Sequence, residues 1–448
     1  MFLEMPCDVP SRLTTATNPN GTVTMTYDNR RRVSSVTDVF GQVVSYGYDA
    51  NSNRTQLSLN AATSATYQYD VINRLTQLTD AASLNITFAY DVTDKLTSRT
   101  LPNGVVTTSQ YDGLNRLTRL MHVKTGNTLA DFQYQFSAAS SITPMIDGAG
   151  THNYSYDTRD RLTAATHPNQ PYESYTLDDV GNRTASHQGS SYTYQQFNRL
   201  TAANSNTFAY YANGNLTAKT DATGSWTYTW DYENRLQQAS KSSGVTVTYS
   251  YDALGRRIQR TSNAGGTTKF VYDGADVVRD LDASGGTIAD YLNRPGVDNK
   301  LRQTLGGPVS YFVADRLGTT RALADSNGNV TSSLSYDSFG NQNLYVYVRN
   351  NPLLYIDPQG TNPLLVAALA IGGEAFLHDY LKNRANRFYL DDPFGRKKHC
   401  YVNCMSNRIH GFNPVWLLLQ VWSRKLEVLR SACSGEPLGT MSRIQSAI

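Results

Sequence analysis

The dipeptide Tyr-Asp returns every 21 residues, and no other feature restricts the fold so strongly. It stands at Tyr27-Asp28, Tyr48-Asp49, Tyr69-Asp70, Tyr90-Asp91 and Tyr111-Asp112. The phase then slips and resumes at Tyr156-Asp157, with Leu177-Asp178 one period later. Trp230-Asp231, Tyr251-Asp252 and Tyr272-Asp273 repeat the step, and degenerate units start at Tyr194 and Tyr211. Self-similarity at a period of 20 to 50 residues marks a stacked array in which each unit buries its apolar face only against its neighbours.

The units share an internal grammar. Tyr69-Asp70 is followed by Val71-Ile72-Asn73-Arg74-Leu75-Thr76, and Tyr111-Asp112 by Gly113-Leu114-Asn115-Arg116-Leu117-Thr118. Asp accepts backbone N–H groups two residues on, and Asn or Gly tolerates positive φ, so a turn follows each Tyr. Alternation in Thr22-Val23-Thr24-Met25-Thr26-Tyr27 and Val245-Thr246-Val247-Thr248-Tyr249 gives half-buried strands. A second turn signal, Asn103-Gly104 or Asn213-Gly214, precedes many Tyr-ending strands. One unit is thus two strands and two turns. A lone hairpin is barely stable, so the units must pair sideways into a continuous sheet. The expected fold is mostly β: tandem hairpins forming a spiralling strand ribbon, with a small α-helical C-terminal appendage. The Tyr rings are expected to stack in a ladder along one face with their hydroxyls at its wet edge.

Composition agrees. Tyr occurs 30 times, and charged residues make up 17%, below the usual quarter. The net charge of +3 gives no strong nucleic-acid signal, but it is uneven. Residues 361–448 hold 11 Lys/Arg against 6 Asp/Glu, while the remainder is slightly acidic. Four cysteines in 448 residues make no disulfide framework. The start, Met1-Phe2-Leu3-Glu4-Met5-Pro6, carries no secretory pattern, and the apolar stretch Leu364 to Gly373 is too short for a transmembrane segment. Export would then follow a signal-independent route.

Tyr-Asp-x-x-Gly/Asn-Arg-Leu-Thr resembles the RHS/YD repeat, from about residue 20 to residue 340. Tyr311-Phe312-Val313-Ala314-Asp315-Arg316-Leu317-Gly318-Thr319-Thr320-Arg321 and Tyr336-Asp337-Ser338-Phe339-Gly340 resemble the opening of the RHS-associated core. Asn343 to Pro352 and Asp357-Pro358-Gln359-Gly360 match its closing motif. The resemblance implies a ribbon that closes a hollow shell around a C-terminal toxin, or a shell of the teneurin kind in cell adhesion. The block that normally lies between these motifs is missing, since Gly340 is joined almost directly to Asn343. In the family that block carries the acid pair for aspartyl self-cleavage, in which two carboxylates sharing a proton activate water. Asp357, Pro358 and Gly360 remain as a processing motif, with Thr361 where the family commonly has Leu. Self-cleavage is therefore expected to be impaired, no catalytic set can be assembled, and the chain reads as a fragment or degenerate copy.

The division expected is a lead-in over 1–20, the repeat array over 21–300, a truncated core segment over 301–360 and a variable region over 361–448. In the last, Asn362-Pro363 and Asn413-Pro414 read as helix starts, and Val415, Leu418, Leu419, Trp422, Leu426 and Leu429 share one helical face. His399, Cys400, Cys404 and His410 lack the spacing of a zinc finger, so no metal and no cofactor is expected. Arg396-Lys397-Lys398-His399 reads as a solvated loop. The leading function is the wall of a cargo-enclosing RHS-type polymorphic toxin or cell-contact protein of a bacterium, secreted or at the cell surface. Its expected partners are its own tail as cargo, an immunity protein and secretion machinery. The alternatives are a carbohydrate or cell-surface binding module, and an enzyme acting through a self-cleaving core or a tail nuclease.

Overall fold

The computed structural model describes residues 12–168, 170–296 and 299–339. Asp357, Pro358 and Gly360, the helices expected beyond residue 361 and the thiols near residue 400 lie outside the described residues.

Each Tyr-Asp pair ends one strand and opens the turn to the next. Strand Ala62–Tyr69 pairs antiparallel with Leu75–Asp80, and Val106–Tyr111 with Leu117–Lys124. Asp70 N–H donates to Arg74 O, and Asn73 N–H donates to Asp70 O. This is a type I turn closed by one left-handed residue, the common three-residue hairpin loop. The left-handed position is Asn73 (φ 66°), Asn115 (φ 64°), Asn234 (φ 59°) or Gly255 (φ 79°). That is why Asn or Gly recurs there. A register shift at the Tyr itself, as between Gln68 and Tyr69, adds a bulge to each hairpin and increases its twist.

Consecutive strands pair all along the chain into two antiparallel sheets, one of 17 strands over Thr15–Ser186 and one of 15 over Tyr192–Ser333. The break falls at Ser186–Tyr192, where Tyr194 OH reaches back to donate to Arg183 O at 2.8 Å. The slip in the sequence period is a lengthened hairpin, Leu117–Lys124 and Asn127–Phe136, turning at Thr125-Gly126. Phe136-Ser137 is the unit concealed there: Ser141 N–H donates to Ser137 Oγ as it would to an Asp. The degenerate unit placed at Tyr211 begins one residue earlier. Tyr210 ends the strand, Tyr211 stands where Asp would, and Asn213-Gly214 belongs to this turn rather than to the second one.

The second sheet returns onto the first. Val44, Leu57, Tyr67, Leu78, Ile86 and Phe88 share one apolar core with Val271, Val278, Leu281, Leu292, Leu301 and Tyr311. The burial of alternate residues, as in Asn85–Tyr90, commits one face of the ribbon to this core. Polar contacts run along the same seam. Asn18 and Asn20 each donate to Tyr251 O at 2.8 Å. Arg54 pairs with Asp273 at 2.6 Å, Arg302 with Asp80, and Asn103 Nδ2 donates to Asp325 O at 2.9 Å. The turn after Asp325 approaches so closely that a Cβ at Gly328 would stand 3.1 Å from Asn103 O. These partners are 219 to 233 residues apart, so the seam joins one pass of the ribbon to the next.

Candidate functional site

The repeated side chains form a relay from unit to unit. Asp70 Oδ1 accepts the backbone N–H of Ile72 and of Arg74, and Oδ2 accepts Arg74 Nε at 2.6 Å. The Arg74 N–H, against a smaller penalty of burial, and then the Arg74 side chain hold the Asp70 carboxyl below the usual range. Arg74 Nη1 donates onward to Asp91 O at 3.0 Å, and its guanidinium lies 5.0 Å from the centre of the Tyr90 ring. Tyr90 OH then donates back to Leu75 O at 2.9 Å, beside the same arginine. The period of 21 is thus the distance over which Arg of one unit meets Asp and Tyr of the next.

The relay repeats. Arg32 lies over Tyr48, Arg235 over Tyr251 and Arg256 over Tyr272. Tyr48, Tyr69, Tyr111, Tyr251 and Tyr272 each donate their hydroxyl to a carbonyl 15 residues upstream. Tyr156 does so 14 residues upstream, and Trp230 Nε1 replaces the hydroxyl with a donor to Leu216 O. The wet-edge expectation is therefore corrected. These hydroxyls are spent on backbone carbonyls, and several of the rings are covered by a cation, as Tyr48, Tyr90 and Tyr251 are by arginine and Tyr111 by Lys95. A half-buried phenol cannot leave its O–H unpaired without cost, and the neighbouring strand supplies the acceptor.

Asp28, Asp49, Asp91, Asp112, Asp157 and Asp252 clamp their turns as Asp70 does. Tyr27 ends its strand Gly21–Tyr27 in the expected place. Asp273 does not clamp a turn. No Arg follows it at the right distance, and its carboxylate serves the seam through Arg54. The sequence signature thus joins scaffold residues, with one member diverted to a long-range ion pair.

Two polar groupings were not foreseen. In the first, His152 Nδ1 and His167 Nδ1 are 2.8 Å apart, so one of them carries a hydrogen there. His152 Nε2 stands 3.1 Å from Asp147, off the line of a good hydrogen bond, and His167 Nε2 stands 3.1 Å from Glu173. Burial raises the Glu173 carboxyl, but hydrogen bonds from His167, Tyr175 and Ser338 outweigh it and hold it at about 2. Ser338 Oγ is 3.0 Å from His167 Nε2, which suggests a nucleophile and base. The Glu173 carboxylate beside the same nitrogen demands that it be protonated, so it cannot take the serine proton. What the group does is hold the chain. Ser338 N–H donates to Glu173, the Phe339 ring meets Tyr175 edge-on at 4.8 Å, and Arg183 covers both rings at 4.5 Å.

The second grouping lines a cavity of about 550 Å³ along the seam, walled by Phe88, Leu96, Leu120, Leu301 and Phe312. Arg99, Arg294, Lys300 and Arg316 line it too, with Asp315 and His122. Arg99 Nη2 donates to Thr107 Oγ1 at 3.2 Å, and that hydroxyl meets His122 Nδ1 at 2.9 Å. His122 Nε2 meets Ala314 O at 3.0 Å and must donate, so that nitrogen carries a hydrogen. Burial, then the Arg99 charge, push its pKa down to about 4. The available sequence signal was a polar residue on the inward phase of a strand. His122 follows Thr107 by 15 residues and His167 follows His152 by 15, the offset that the Tyr hydroxyls use.

Among the described residues, no group of three or more His, Cys, Asp or Glu could hold a metal ion. No described helix is long and apolar enough to cross a membrane.

Comparison with known proteins agrees with this geometry. The sequence model of the Teneurin YD-shell matches residues 101–361, and that of the RHS Repeat matches residues 11–42. A tRNA3(Ser)-specific nuclease WapA of Bacillus spizizenii is 30% identical over 196 residues, covering 42% of this chain and 8% of that protein. The Tc holotoxin pore of Photorhabdus luminescens, carrying a TccC3 mutation, superposes with a TM-score of 0.50 at 16% identity, over 72% of this chain and 18% of that one. At that identity the likeness is one of fold, and this chain spans a small part of either relative. The Teneurin YD-shell match covers more than half of the residues and coincides with the Tyr-Asp-Arg relay, so the chain belongs to the Teneurin YD-shell family and is an RHS/YD-repeat protein.

Proposed function

We propose that this chain is the wall of an RHS-type shell that encloses its own C-terminal region, residues 361–448, as cargo. One observation carries the reading. The side chains that define the repeat are consumed in joining each unit to the next, and the remaining polar contacts join one pass of the ribbon to another. Such a surface is built to be a barrier. The relatives named above are a nuclease and part of a toxin, which supports a toxic cargo. On this reading the protein is bacterial, secreted or displayed at the cell surface. It has an immunity protein as partner and leaves the cell by a route that dedicated secretion machinery supplies. The Ser338 anchor holds the last described stretch of the wall to Glu173.

Limited trypsin digestion of the full chain, followed by mass spectrometry, tests enclosure. The tail holds 11 Lys/Arg, so cleavage sites abound. Enclosure predicts that they are cut slowly in native buffer and fast in denaturant. Rapid loss of everything beyond residue 361 with the wall intact would sink the reading. The same gels test the expectation of impaired self-cleavage, which a spontaneous cut near Thr361 would contradict.

A further inference from the structure

Several charges taken into the seam have a partner of opposite sign, and Arg99 does not. Arg54 sits deep in the seam, where burial opposes its charge, but Asp273, Tyr67 and Tyr46 together outweigh it and raise its pKa. Arg302 has Asp80, and Arg256 has the fully buried Asp252. Among the described residues Arg99 has no carboxylate partner. It donates Nη2 to a threonine hydroxyl, and its Nε is shut from solvent without an acceptor. Burial, then the charge of another cation, Arg294, bring its pKa down to about 10. It is therefore still charged at neutral pH. A half-buried guanidinium whose Nε is shut from solvent, with a second guanidinium on the wall of the same cavity, is costly unless an anion joins them.

The surroundings offer none from the described chain. Arg294 Nη2 donates to Tyr90 OH at 3.1 Å, and its guanidinium covers the Phe88 ring at 5.1 Å. Arg316 lies over Tyr134 and Phe136. Asp315, the acid on the cavity wall, is committed: Oδ2 accepts Arg321 Nε at 2.8 Å, and Oδ1 accepts the N–H groups of Leu317 and Thr319. His122 is held neutral by burial and by the Arg99 charge and cannot serve. The space of about 550 Å³ is within the range of small-molecule sites, and its apolar walls suit a carbon skeleton.

We propose that this seam cavity binds a small organic oxyanion, a carboxylate or a phosphate ester, whose charge is taken up by Arg99 and Arg294 while its skeleton rests against Phe88, Leu301 and Phe312. Guanidinium groups suit such planar or tetrahedral oxyanions because their N–H donors fork in one plane. Because the site straddles the two passes of the ribbon, a bound anion would tie them together and raise the stability of the wall.

The test is calorimetric titration of the full chain with inorganic phosphate, phenyl phosphate and benzoate at constant ionic strength, paired with thermal melts. Saturable one-to-one binding of phenyl phosphate or benzoate is expected, tighter than about 1 mM and at least about tenfold tighter than inorganic phosphate. Binding by phenyl phosphate alone or by benzoate alone selects the ester or the carboxylate. Arg99→Gln and Arg294→Gln should each weaken binding by about tenfold or more. Arg99→Met supplies a reading that a merely structural arginine would not give. It should melt at or above the wild-type temperature in oxyanion-free buffer and lose the stabilisation that phenyl phosphate confers. Arg294 is half-buried, so Arg294→Gln carries the same readouts if Arg99→Met does not fold. The proposal is overturned if none of the three compounds binds saturably, or if they stabilise both variants as much as the wild type.

Discussion

The same turn occurs in two environments, at Asp112–Arg116 in the open and at Asp252–Arg256 in the seam. In both, the Asp carboxylate accepts two backbone N–H groups and the Nε of the Arg four residues on. Asp112 keeps 23% of its side-chain surface open to solvent. Asp252 is fully buried, under the N-terminal hairpin whose Asn18 and Asn20 reach the adjacent Tyr251 carbonyl. The local chemistry is identical and the consequence is not. In the open the clamp shapes a hairpin, whereas in the seam it also neutralises a charge from which water has been removed.

The largest effect should follow from removing the clamp in each place. Asp252→Ala leaves Arg256 buried without its counter-charge and is expected to cost about 3–5 kcal/mol. Asp112→Ala lets water replace the carboxylate, so its loss should be much the smaller in parallel urea denaturation curves. Equal losses would mean that the seam is not packed in solution. Acid provides the next test. The folded pKa of His122 is about 4, below the ordinary value, so its contribution is fully present above about pH 6.5 and is lost as the pH falls toward 4. A shift of that size is worth on the order of 3 kcal/mol. Stability measured between pH 7 and pH 4 should fall less steeply in His122→Gln than in the wild type, and an unchanged slope would remove His122 from the seam.

A third comparison uses the Tyr hydroxyls. Tyr69→Phe deletes a half-buried donor to Arg54 O and should cost about 1 kcal/mol. Tyr272→Phe leaves the Arg257 carbonyl stranded beneath a nearly buried ring and should cost about 1–3 kcal/mol. The chain already makes this substitution once, at Phe136, where Arg116 still covers the ring at 4.7 Å. In that unit the ring and its arginine are kept without the hydroxyl, whereas Tyr69 and Tyr156 keep the hydroxyl bond without an arginine over the ring among the described residues.

The division between open turn and seam is also the division between what the sequence discloses and what it hides. Asp70, Asn73 and Arg74 lie within five residues, and each has a backbone preference that acts alone, so the turn could be read directly. The Tyr90 hydroxyl could not, because its acceptor lies one strand away and depends on a register set by the bulge. The seam was further out of reach. Arg54 and Asp273 are 219 residues apart, and each occurs once, so no period reveals them. Asp273 even carried the local signature while serving the distant partner. Arg99 and His122 left only a polar residue on a strand, and His167 one at the end of a strand. That signal marks burial but does not name what the residue will face.

The smallest effect should abolish the comparison altogether. Asn115 and Gly255 occupy the same left-handed position of the two turns, at φ 64° and φ 79°. A Cβ built on Gly255 meets nothing within 4 Å, so even the seam turn presents its tip to open space. Asn and Gly both tolerate this conformation, Gly at some entropic cost in the unfolded chain and Asn at some steric cost in the folded one. Exchanging them, Asn115→Gly in the open and Gly255→Asn in the seam, should therefore change stability by less than about 0.5 kcal/mol in either place. A loss above about 1 kcal/mol for Gly255→Asn alone would show that packing reaches the tip of the turn. The seam would then be wider than the contacts of Asp252 indicate. Equal and small changes would confine the difference between the two turns to the carboxylate and its arginine, a few ångströms below the tip.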